Sequence, residues 1–167
     1  MLNGLEVPTD LDVLSLDIDS YDLSVLDSML SGGYCPKVIS MEINEKIPAG
    51  IYFTVLFTDD HYWRGDHFYG CSIDAASILA KKYGYMLLSV EYNNAIFLRS
   101  DLNVRGFKDI PAEDAWVSGY RDRPSRTTLF PWNDDVAHWL FLPKEVALDQ
   151  IDVHFRRYQG NYEIRLT

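Results

Sequence analysis

The chain is 167 residues long, 47% hydrophobic and 14% aromatic, enough to fill one domain with a single core and to exclude a mostly disordered chain. With 25 acidic residues against 15 basic ones the net charge is -10, a field that repels a nucleic-acid backbone. No apolar run approaches the ~20 residues that cross a bilayer, and Met1-Leu-Asn-Gly-Leu-Glu6 lacks the basic start and apolar centre of a signal peptide; the expectation is a cytoplasmic protein with neither nucleic-acid nor membrane partners.

After a polar lead-in, Leu11-Asp-Val-Leu-Ser-Leu-Asp-Ile-Asp19 and Lys37-Val-Ile-Ser-Met-Glu-Ile-Asn44 are short, near-continuous apolar runs of strand length that end in acids or amides. Such runs suit strands buried on both faces of a parallel sheet. Between them, Leu23, Leu26, Met29 and Leu30 recur at helical spacing, with Ser20 or Asp22 as a cap and Gly32-Gly33 as the left-handed stop, so the unit reads as βαβ. In open α/β sheets ligands sit beyond the carboxyl ends of the strands, which is where Asp17, Asp19, Glu42 and Asn44 fall.

Residues 45–70 are less regular: 51–57 suit a short extra strand or a buried loop segment, and 59–70 form a polar, aromatic loop holding His61, Trp63, Asp66 and His67. The two histidines match no zinc spacing. Ser72 caps a helix that runs to Tyr83, with Lys81 and Lys82 complementing its dipole and Gly84 closing it. Residues 85–92 and 95–99 then read as a hairpin about Asn93-Asn94, since Asn tolerates the positive φ of a tight turn. Beyond Asp101 the prolines and scattered aromatics predict an irregular extension, broken by a helix that opens at Pro143 and draws on Val146, Ile151, Val153 and Phe155 in undetermined phase. The division is therefore an α/β core over 1–102 and a C-terminal extension over 103–167 packed on it. Cys35 and Cys71 form neither a disulfide framework nor a metal motif, and Arg121-Asp-Arg-Pro-Ser-Arg126 reads as a solvated loop.

Leu14-Ser-Leu-Asp-Ile-Asp-Ser-Tyr-Asp22, Pro36-Lys-Val-Ile-Ser-Met-Glu-Ile-Asn44, Phe68-Tyr-Gly-Cys-Ser-Ile73, Lys82-Tyr-Gly-Tyr-Met-Leu-Leu88 and Asn94-Ala-Ile-Phe-Leu-Arg-Ser-Asp-Leu102, in that order and spacing, resemble the C-terminal half of FkbM-type class I S-adenosylmethionine-dependent methyltransferases. The similarity covers residues 11–102. It implies a partial Rossmann-like mixed sheet in the family's strand order 4-5-7-6, with the last hairpin antiparallel. The family's first three strands, with their glycine-rich cofactor turn, have no counterpart, and Ser20 stands where the family has Gly. The chain thus looks like a C-terminal half: a fragment, a split-gene product that needs a cofactor-binding complement, or a shortened relative with another task.

The resemblance implies S-adenosylmethionine-dependent O-methyl transfer to a sugar or other small hydroxyl acceptor. It also implies a magnesium or calcium ion held by Asp17, Glu42 and Asn44. Asp17, Asp19, His61 and His67 are the candidate catalytic residues, with either histidine as general base. The alternative is a non-catalytic module that binds a partner or a saccharide through the acidic rim and the aromatic loop. With its first three strands absent, the strand over 11–17 has a free edge, which predicts a homodimer, a complementing subunit, or coverage by the tail.

Overall fold

The computed structural model describes residues 7–59 and 62–167. Its main sheet has four strands, β1 (Val13–Leu16), β2 (Val38–Glu42), β5 (Asn94–Arg99) and β4 (Tyr85–Glu91), hydrogen-bonded in that order. β1 and β2 are parallel, with Val13 opposite Val38 and Leu16 opposite Met41. β5 runs antiparallel to both β2 and β4, and a bulge interrupts the β4–β5 register between Leu87 and Ser89. The two apolar runs and the hairpin therefore lie in the expected spatial sequence.

A parallel pair needs a crossover, and α1 (Asp22–Ser31) supplies it, burying Leu23, Leu26 and Leu30 against the sheet's central residues Ile39, Met41 and Phe97. Neither Ser20 nor Asp22 caps it: Tyr21 holds the N-cap position without a side-chain bond. α2 (Ile73–Lys82) does start as expected, with the Ser72 hydroxyl accepting from Ala75 N–H at 3.3 Å. Cys71 is buried in the same core, and Cys35 is half-buried.

The hairpin turn corrects one reading. Tyr92, not an asparagine, takes the left-handed conformation (φ 59°), and Asn94 already belongs to β5. Tertiary contacts hold the tyrosine there: its N–H donates to Gly119 O at 3.1 Å and its hydroxyl bonds Ser125 at 2.6 Å. Gly119 itself lies so close to β4 that any side chain would collide with the Val90 carbonyl.

Residues 51–55 are a strand, β3 (Ile51–Val55), but it leaves the main sheet and pairs antiparallel with the C-terminal β6 (Tyr162–Leu166). The extension is thus more regular than expected, carrying α3 (Ala112–Trp116), α4 (Arg126–Leu129) and α5 (Lys144–His154) as well as β6. The phase of α5 is set by Ala147, Ile151 and Phe155, which are buried with Phe53, Phe68 and Trp139 in a second apolar cluster. Val146 and Val153, expected among the apolar contacts, face outward at 42% and 57% exposure. Among the described residues no helix is long and apolar enough to cross a membrane.

Candidate metal centre and its pocket

Parallel pairing of β1 and β2 places their carboxyl ends side by side, so the acids that follow them converge. One oxygen from each of Asp17, Asp19 and Glu42 lies within 4.8 Å of the others. Asp17 is exposed, Asp19 half-buried and Glu42 only 6% exposed. The Oε1 of Glu42 accepts from Asn93 Nδ2 at 3.0 Å, whereas its buried Oε2 has no hydrogen-bond partner. Burial above all, then the neighbouring Asp17 charge, pushes the Glu42 carboxyl up to about 8. Burial likewise raises Asp19, with Asp17 adding to it.

Three carboxylates this close repel one another unless a proton or a cation intervenes. The set offers hard oxygen donors only, the chemistry of magnesium or calcium, and the unpaired Glu42 oxygen leaves a donor free for an ion. The residues present fit a divalent cation.

The loop between Asp17 and α1 has an unusual form. Asp19 adopts φ 54°, a left-handed conformation that aspartate tolerates better than most residues. Ser20 O accepts from Gly70 N–H at 2.6 Å, tying the loop to the segment before α2. Asn44, expected as a ligand, is fully buried and donates its amide hydrogens to the carbonyls of His67 (2.8 Å) and Tyr69 (3.0 Å). Its Oδ1 is buried without a partner, and its visible work is to clamp the 67–70 loop.

Asp19 and Glu42 form one wall of a pocket of about 690 Å³, and His67 lies on its lining too. His67 Nε2 is 3.0 Å from Asp135 Oδ1, and its ring lies 5.8 Å from that of His154. Asp135 and His154 come from the extension and also line the pocket; neither was marked as functional by its neighbours in sequence. His61 lies outside the described residues. Two indoles complete the rim, Trp63 from the aromatic loop and Trp132 from the extension, 44% and 63% exposed.

A buried network follows β2 directly and reaches the pocket lining through Lys46 and Tyr69. Lys46, 2% exposed, donates to the Tyr69 hydroxyl at 2.6 Å and to Glu45 at 3.3 Å. Tyr69 and Asn133 both donate to Glu45, at 2.9 and 2.6 Å, and Trp116 Nε1 donates to its carbonyl at 2.8 Å. Burial lowers the Lys46 ammonium from its usual range. The adjacent opposite charges Glu45 and Lys46 after an apolar run are the signal that the sequence offers for this network. The arginine-rich stretch is satisfied locally, Arg121 by Asp122 and Arg123 by Glu91.

No family model, curated protein or solved structure matches the chain.

Proposed function

We propose that the chain is a methyltransferase-like α/β protein whose acidic centre holds magnesium or calcium and presents a small hydroxyl-bearing acceptor, such as a sugar, in the adjoining pocket. The observation that carries this reading is Glu42: a buried carboxylate oxygen without a partner, within 4.8 Å of oxygens from Asp17 and Asp19. Burying an unpaired carboxylate is costly, and an ion is the natural partner for three of them.

Asp17, Asp19 and Glu42 would hold the ion, with water or the acceptor completing its shell. A bound cation of this kind acidifies a coordinated hydroxyl. His67, oriented by Asp135 at 3.0 Å, lies on the lining of the same pocket as a candidate base for that proton. No residue of this chain is assigned to S-adenosylmethionine, because the sequence has no glycine-rich βα turn to receive it and the rim is acidic. Methyl transfer in this reading belongs to an assembly completed by a cofactor-binding half, and a cytoplasmic location belongs to the same proposal.

Titration calorimetry with magnesium and calcium tests the centre. One site is expected in the wild type, absent from Asp17→Ala and Glu42→Gln; a wild type that binds neither ion overturns the reading.

The exposed Trp63 and Trp132 favour a second reading, a non-catalytic saccharide-binding module, since indole faces stack on the apolar faces of sugars. Quenching of tryptophan fluorescence by a methyl glycoside that persists with the cation removed and is lost in Trp63→Ala and Trp132→Ala would favour the module, whereas quenching that requires the cation would favour the acceptor site.

A further inference from the structure

Asp22 is fully buried although it stands in the first turn of an otherwise amphipathic helix, where an aspartate is ordinarily exposed. Its carboxylate does not reach the group formed by Asp17, Asp19 and Glu42. It turns backward instead, accepting from Ile18 N–H at 3.0 Å through Oδ1 and from Ser20 N–H at 3.2 Å through Oδ2. These two amides flank Asp19 in the chain. The Ser20 hydroxyl adds a third tie, donating to Ile18 O at 3.1 Å, and Gly70 N–H fixes the Ser20 carbonyl from the other side.

We infer that Asp22 is a positioning residue for the cation centre: it braces the loop over residues 18–20 so that Asp17 and Asp19 stay turned toward Glu42. The inference rests on the cation reading above and extends it to a residue that touches no ion. The bonds to Ile18 and Ser20 satisfy amides that lie outside α1, so they hold the loop and do not cap the helix. The left-handed Asp19 needs one, since that conformation persists in a non-glycine residue where surrounding structure imposes it. A bond from the outer layer of a metal site typically sets ligand orientation, and its loss costs about 10–100-fold in metal affinity.

Terbium(III) replaces calcium or magnesium in oxygen sites and is sensitised by a nearby indole, here Trp63 on the same pocket. Its luminescence titration gives affinity, and its decay in light and heavy water gives the number of bound waters. Asp22→Asn is expected to keep the near-ultraviolet circular dichroism of the wild type, to bind terbium about ten-fold or more weakly, and to add at least one water to the bound ion. Loss of charge alone weakens binding without adding water, so the hydration number separates positioning from electrostatics. Asp22→Glu keeps the charge, displaces the acceptor oxygens by a methylene, and is expected to add water in the same way.

Variants that bind terbium with wild-type hydration overturn the inference and leave the cation reading intact. A wild type that binds no terbium overturns both. If neither variant folds, Asp22 serves the fold as a whole and the positioning role falls.

Discussion

Buried at the end of β2, with one oxygen unpaired, Glu42 keeps its proton through neutral pH when no cation is bound, because its carboxyl is then held at about 8. In the unfolded chain it titrates near 4.5. Between those values the folded state binds the extra proton, so the contribution is full below about 4.5, declines across the interval, and is lost as pH rises through about 8. Wild type is therefore expected to lose on the order of 2 kcal/mol in urea melts between pH 6 and pH 9. Glu42→Gln, which mimics the protonated acid and keeps the acceptor for Asn93, should flatten that slope; an unchanged slope would refute the assignment. Asp17, Asp19 and Glu42 were readable as site candidates because each follows an apolar run at a strand end. Asp135, 68 residues from the histidine it meets, carries no such mark, and the backward bonds of Asp22 depend on a loop conformation that composition does not encode.

At the scale of elements, the βαβ unit and the hairpin follow from local pattern, whereas β3 and β6 do not. β3 reads from its β-formers as a short strand or a buried loop segment, and the partner that decides between them is 115 residues away where Ile51 pairs with Leu166, beyond anything periodicity conveys. Between this ribbon and α5 lies Phe155, 1% exposed, with its ring 5.4 Å from Phe53 and 5.3 Å from Phe68. Phe155→Ala should cost about 3–5 kcal/mol in equilibrium unfolding. A loss below about 1 kcal/mol would mean that the second apolar cluster is not cooperative with the rest. The turn at Tyr92 is the converse case: Asn93-Asn94 supplies the better local chemistry, but the bonds to Gly119 and Ser125 decide which residue takes the left-handed position.

At the scale of the whole molecule, β1 keeps one free edge among the described residues. Among the described residues its ladder partner is β2, and the tail that was a candidate to cover it pairs with β3 instead. Val13 is 60% exposed there, and no proline or lysine interrupts the strand. Antiparallel pairing of two copies along 13–16 would set Asp12 against Asp17 of the other copy, a repulsion that salt screens. Sedimentation is expected to show an average mass that rises with protein concentration, and more steeply at about 0.5 M than at about 0.05 M salt. Val13→Lys should remain monomeric throughout. A wild type that stays monomeric at both ionic strengths rules out self-association along this edge.

By itself the sequence determined a mixed α/β core, the βαβ start, the hairpin, and the acids at the strand ends, because each rests on contacts or periodicities spanning a few residues. Tertiary structure alone decided that Glu42 has an unpaired oxygen, that Asp22 braces the loop, that Asn44 clamps the 67–70 segment, and that the extension supplies Asp135, His154 and Trp132 to the pocket. The reason is that burial and pairing of a polar group depend on which distant segment packs against it, and an apolar pattern specifies that a face is buried without specifying its partner.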